Sequence, residues 1–120
     1  MSSVKPMLCS PKPALSERRL LSAAQARNVT EIFKVLAHPT RARLLHALVK
    51  GKEIGVNELC AVIGMKPQAV SNQLQRLAAR GIVNARRNGS QILYRLIDPC
   101  VPALLDLGLC LAEDAKRRKS

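Results

Sequence analysis

The chain has 120 residues, with 20 Lys and Arg against 8 Asp and Glu, giving a net charge of +12. That length makes one domain with a modest core, and that charge selects a polyanionic partner, either nucleic acid or an anionic membrane surface. Membrane insertion is excluded by length, because the most apolar run, residues 101–112, contains Asp106 and falls short of the roughly 20 residues a span requires.

Residues 1–14 read as a flexible N-terminal arm broken by Pro6, Pro11 and Pro13. The arm has no apolar signal segment, so a cytoplasmic chain is expected. A single domain over residues 15–115 follows, then a basic tail over 116–120. Ser16 is the expected cap of a first helix ending at Ala37, with Leu20, Leu21, Ala24, Val29, Ile32, Phe33, Val35 and Leu36 as its apolar positions. Pro39 breaks the chain. Residues 40–49 form a second helix with Leu44, Leu45, Ala47 and Leu48 inward, stopped by Gly51. A short helix over 56–63 ends at Gly64, and another starts at Pro67, a residue suited to a first helical position, and runs to about Arg80.

Two strand-like runs, 82–87 and 91–96, flank Asn88-Gly89, a pair that tolerates the positive φ of a tight hairpin. Asp98 then caps a last helix with Pro99 in its first turn, reaching about Glu113. The order is α-α-α-α-β-β-α, mainly helical with one small hairpin. Two short helices around Gly64 followed by a hairpin make a helix-turn-helix with a wing, whose second helix enters the major groove of duplex DNA.

On that second helix Val70, Leu74 and Leu77 share the inner face, which leaves Gln68, Ser71, Asn72, Gln75 and Arg76 outward or flanking, with Gln73 beside them. Asn and Gln pair with adenine, Arg with guanine, and Ser with base edges or phosphate. From Gly64 to Ile97 six basic residues (Lys66, Arg76, Arg80, Arg86, Arg87, Arg95) stand without one acidic residue. Arg86 and Arg87 lie beside the wing turn, within reach of phosphate or the minor groove. Single-stranded or RNA partners would need aromatic stacking platforms, and Phe33 and Tyr94 are the only aromatics. Catalysis is not expected, since no phosphate-cradling glycine loop and no suitably spaced His/Glu or Cys/His pair is present.

The segments FKVLAHPTRARLLHAL (33–48), VNELCAVIG (56–64), QAVSNQLQRLAARGIV (68–83) and RRNGSQILYRL (86–96) resemble the ArsR/SmtB family of metal-responsive repressors. The resemblance implies a homodimer through the first and last helices, binding to operator DNA, and release of that DNA by an effector. The last helix supports a dimer independently: Val101, Leu104, Leu105, Leu107, Leu109 and Leu111 are more apolar surface than a lone terminal helix should carry.

Four cysteines in an unsecreted chain without a CxxC pair read as free thiols. Cys60 reads as small apolar packing. The cysteine pair that some relatives carry upstream would fall at Gly55 and Asn57, so that site is missing. Certain zinc sensors of the family place a carboxylate and a histidine at the positions of Asp98 and Cys100, with partner-chain ligands at the positions of Leu111 and Asp114. With Cys100 in place of histidine and Cys110 beside the non-ligating Leu111, a thiolate site for a soft ion is expected: cadmium, lead, mercury, zinc or arsenite. Cys100 and Cys110 are its main ligands, joined by Cys9 on the arm as in arsenic and cadmium sensors of the family, with Asp98, Asp114 and Cys60 as secondary candidates. The alternative is a redox or sulfide switch in which Cys100 bonds to Cys110 of the second protomer. Neither His38 nor His46 has a second ligand at helical spacing.

Overall fold

Leu44, Leu45 and Leu48 on one helix, Leu59 on the next, and Val70, Leu74 and Leu77 on a third are buried almost completely and define the core. In the computed structural model, which describes residues 12–118, they belong to α2 (Pro39–Gly51), α3 (Val56–Ile63) and α4 (Pro67–Ala79). A three-stranded antiparallel sheet closes one side in the order β1-β3-β2, from β1 (Ile54–Gly55), β2 (Val83–Asn88) and β3 (Gln91–Leu96). Two further helices, α1 (Ala23–Leu36) and α5 (Cys100–Arg118), flank this body. The winged helix-turn-helix expected from the sequence is present, and the inward positions expected on α2 and α4 are all buried.

Four local details differ from the sequence expectation, each for a physical reason. The cap of α1 is Ser22, not Ser16, which sits in a single 3-10 turn over Leu15–Glu17. Ser22 Oγ accepts from the Gln25 amide while Gln25 Oε1 accepts from the Ser22 amide, a reciprocal box that satisfies two amides the helix start would leave open. Pro39 opens α2 as its first residue instead of separating the helices, since proline gives up no helical bond there. The tight turn of the wing is Gly89-Ser90, because Asn88 pairs with Gln91 across it. Positive φ falls on Gly89 alone of this pair, the pattern of a turn with glycine at its first central position. Finally, α5 continues through Arg118, five residues beyond Glu113, with Lys116, Arg117 and Arg118 complementing the negative end of the helix dipole.

The end of α2 carries the tightest backbone. Gly51 is still helical, and Lys52 takes φ 69° and ψ −57°, closed by a bond from the Glu53 amide to the Gly51 carbonyl at 2.8 Å. This is a γ-turn with positive φ, a strained form for a residue with a Cβ. It returns the chain so sharply that Ile54, 6% exposed, lies against Gly51, where an added Cβ would come within 2.6 Å of Ile54 Cγ1. The turn leads directly into β1, a strand too short to leave a period in the sequence. Pairing with β3 defines it, Ile54 opposite Tyr94 and Gly55 opposite Leu93.

The wing is tied back to this turn. Arg86 of β2 reaches over β3 to Glu53, with Nε to Oε2 at 2.6 Å and a terminal nitrogen to Oε1 at 2.9 Å. The hydrogen bonds and charge of Arg86, with Arg95 adding charge, hold the Glu53 carboxyl below its ordinary value.

Three outcomes are expected. Gly51→Ala should destabilise the chain by about 1–3 kcal/mol through overpacking, whereas Lys52→Gly should raise the thermal midpoint by relieving the turn. Because the Glu53 pKa is lowered by folding, its contribution is complete above the ordinary carboxylate range and fades as pH falls through the lowered value. Amide exchange in β1 and β3 should therefore be slower in the parent than in Glu53→Gln at neutral pH, and the difference should vanish in acid.

Candidate nucleic-acid interface and cysteine sites

The helix-turn-helix is built by α3 and α4 around Gly64, which takes φ 80° at the end of α3, a conformation that costs glycine little. Leu59 and Ile63 bury the inner face of α3, and Val70, Leu74 and Leu77 do the same for α4. This fixes what α4 shows outward. Gln68, Asn72, Gln75 and Arg76 are exposed along it, with Lys66 exposed at its N-cap. Gln68 Nε2 donates to Asn72 Oδ1 at 3.2 Å, orienting two amides on one face. Ser71 is half-buried and lines an open groove of about 250 Å³ with Asn57 and Glu58 of α3 and Gln91 of the wing.

Two of the basic-face expectations land in unexpected company. Gln73 is half-buried and its Oε1 accepts from Arg41 Nε at 2.7 Å, so the amide is held against α2. Arg86 is engaged bidentately by Glu53, as described above. Arg87 is exposed, and among the described residues neither Arg87 nor Arg76 has an ion-pair partner. Arg80, at the C-cap of α4, pairs with Glu31 of α1 at 3.3 Å. Sequence reasoning missed Arg41. The available signal was a guanidinium in the first turn of α2, directly after the end of α1 with its open carbonyls.

Cys60 is half-buried and packs against the core from α3, in agreement with its apolar reading. Cys110 is an exposed free thiol on α5, its Sγ 3.9 Å from Asp114 Oδ2, and Asp114 also accepts from Arg117 at 3.1 Å. Cys100 is the first residue of α5, and its amide donates to Asp98 Oδ1 at 2.8 Å, so Asp98 serves the start of the helix. Unlike the other two, Cys100 is disulfide-bonded, which corrects the expectation that every cysteine is a free thiol. Cys9 lies outside the described residues. Ten helical residues put Cys100 and Cys110 about 15 Å apart along the axis, so one chain cannot hold one ion with both. Among the described residues no group of three or more His, Cys, Asp or Glu is placed to hold a metal ion. His46 is exposed, and His38 Nδ1 is buried without a hydrogen-bond partner.

Residues 36–86 match the model of a helix-turn-helix domain family. The crystal structure of AntR, an antimony-specific transcriptional repressor, is 55% identical, covers 92% of this chain and 99% of that one, and superposes with a TM-score of 0.77. A homodimeric winged helix-turn-helix DNA-binding domain from Mycobacterium bovis, a possible ArsR-family transcriptional regulator, is 31% identical over 80% of this chain and 88% of that one, with a TM-score of 0.70. A transcriptional repressor SmtB homolog of Synechocystis is 38% identical over 79 residues, 66% of this chain and 59% of that protein. The chain thus spans about three-fifths of the length of the curated repressors it matches. At these identities and coverages, and with the same fold, the chain belongs to the ArsR/SmtB family of winged helix-turn-helix regulators.

Proposed function

We propose that this protein is a homodimeric cytoplasmic repressor that binds a palindromic operator and releases it when a thiophilic metal or metalloid ion engages its cysteines. The observation that carries DNA binding is the outward face of α4. It presents Gln68, Asn72, Gln75 and Arg76, with no acidic residue from Gly64 to Ile97, over an apolar stripe that forbids any other orientation. Arg87 on the wing and Lys66 at the helix start add charge for phosphate, and Ser71 stands at the flank. No helix among the described residues is long and apolar enough to cross a membrane.

Two apolar surfaces support the dimer. On α1, Val29 and Ile32 are 40% exposed and Phe33 50%; on α5, Leu107, Leu109 and Leu111 are 58–69% exposed. Paired against a second copy, these helices would set two α4 helices about 34 Å apart, one turn of duplex.

For the effector, the donor set is the argument. Cys110, with Asp114 beside it, is a free thiol, and Cys100 at the positive end of α5 becomes a second soft ligand once its disulfide is reduced; one chain does not bring the two together. The ion would be completed by the second protomer, with Cys9 as a further thiolate, and cadmium, lead, mercury, zinc, arsenite and antimonite all suit such donors. The likeness to an antimony-specific repressor favours a trivalent metalloid. A coupling of about 1–3 kcal/mol would change operator affinity 5- to 150-fold. A redox or sulfide switch is the second reading, supported by the disulfide at Cys100, which does not engage Cys110, a free thiol in this structure.

Two measurements test this. Affinity for a duplex selected from a random pool should fall with salt, and the slope should lose about one unit for Lys66→Ala or Arg87→Ala. The slope should hold for Arg86→Ala, whose guanidinium Glu53 occupies. Reduced protein should release the duplex on addition of antimonite or arsenite, whereas Cys100→Ser and Cys110→Ser should retain it. Release by peroxide or persulfide in the presence of a chelator, with no response to ions, would replace the ion reading by the redox one.

A further inference from the structure

Helix α1 contributes little to the core, with Leu36 its one buried residue. Two polar links nevertheless run from it to the base-reading helix. In the first, Arg41 Nη1 donates to the Val35 carbonyl at 2.8 Å and Arg41 Nε donates to Gln73 Oε1 at 2.7 Å. The Val35 carbonyl belongs to the last turn of α1, where no further helical turn supplies a donor. The guanidinium satisfies it and places positive charge at the negative end of that helix. The second link is the Arg80–Glu31 pair, whose side chains are about half exposed at 48% and 52%, so solvent weakens it.

The first link differs in kind. A guanidinium is a rigid planar fork, so one group fixes Val35 O and Gln73 Oε1 relative to each other, by hydrogen bonds strengthened by its charge. Gln73 follows Asn72 and precedes the buried Leu74, on the flank between the stripe and the outward face. Any roll or slide of α4 that changes what Asn72 and Arg76 face must first pull Gln73 from Arg41. The apolar stripe sets which side of α4 is inward, but dispersion contacts are non-directional and leave small rotations cheap.

We propose that Arg41 is a positioning residue for DNA reading: anchored on the last turn of α1, it fixes Gln73 and thereby the rotation of α4, so a displacement of α1 reaches the base-reading face. The inference rests on the DNA-binding reading above and supplies the connection through which the α1 surface acts on it. Gln73 is then a tether, not a base reader.

The test uses the full-length reduced protein and two probes, a palindromic duplex enriched by this protein from a randomised pool and a scrambled duplex of equal length. Arg41→Met, Gln73→Met, their combination and Gln73→Glu are compared with the parent, each corrected for active fraction by stoichiometric titration. The ratio of selected to scrambled affinity should fall about tenfold or more for either methionine variant and no further for the pair. Gln73→Glu, which keeps an acceptor for Arg41, should retain most of the ratio. The salt slope on scrambled duplex should stay at the parental value. A slope lower by about 0.9 in Arg41→Met would make Arg41 a phosphate contact and overturn the proposal. So would an additive double variant, or a Gln73→Glu that loses as much as Gln73→Met, either of which would make Gln73 a base reader. A parent protein without preference for the selected duplex overturns the DNA reading itself and this inference with it. Discrimination by the parent and equally by all variants overturns this inference alone.

Discussion

The seating of Val70, Leu74 and Leu77 beneath α4 is the constraint from which the rest of the structure follows. All three are fully buried against a floor that α2 supplies through Leu44, Leu45 and Leu48 and α3 through Leu59. At roughly 1.5–3 kcal/mol for each aliphatic side chain taken out of water, no large rotation of α4 competes, because it would bring Asn72, Gln75 or Arg76 into an apolar floor. The polar face of α4 is outward as a consequence of what lies under it. With Gly64 providing the sharp turn that precedes it, the helix projects from the body at a fixed place.

Directional bonds refine what apolar packing leaves loose. Arg41 holds α4 through Gln73 and caps α1 through Val35, while Arg86 holds the wing to the strained turn at Lys52 through Glu53. Both guanidiniums are engaged within the molecule, Arg86 by a carboxylate and Arg41 by two neutral oxygens, and the +12 of the chain is therefore not uniformly available to a polyanion. Lys66, Arg76 and Arg87, exposed and without ion-pair partners among the described residues, are the charges that remain at the recognition surface. The division explains how a strongly basic chain can keep an ordered wing, since self-repulsion among its cations is relieved where a carboxylate meets them.

At the far sides of the body α1 and α5 leave apolar surface bare. Phe33, Leu107, Leu109 and Leu111 are large and at least half exposed, and Cys110 lies among the last of these on α5. An exposed apolar surface and an exposed free thiol thus share one helix. Chemistry at that thiol would act on the geometry between protomers, and the link from α1 through Arg41 gives that geometry a path to α4.

Much of this was legible in the sequence because it is local. Helical spacing placed the inner faces of α2 and α4, Gly64 marked the turn, and a proline at the first position marked the start of α4. The order of elements then identified the wing, and matching segments the family. Pattern could not reach contacts between residues distant in the chain. The two-residue β1 exists through its pairing with β3, and the γ-turn at Lys52 exists because Ile54 must reach the core beside Gly51. The cap at Ser22 is the opposite case, a local signal in the sequence, since Gln25 stands three residues on and Ser16 has no such partner. Gln73 and Arg86 illustrate the boundary most clearly. Their residue types fit a DNA surface, and the sequence alone determined that they lie near one. That Arg41 and Glu53 occupy them was decided by the tertiary structure, since the partners lie 32 and 33 residues away and only packing brings such groups within hydrogen-bond distance.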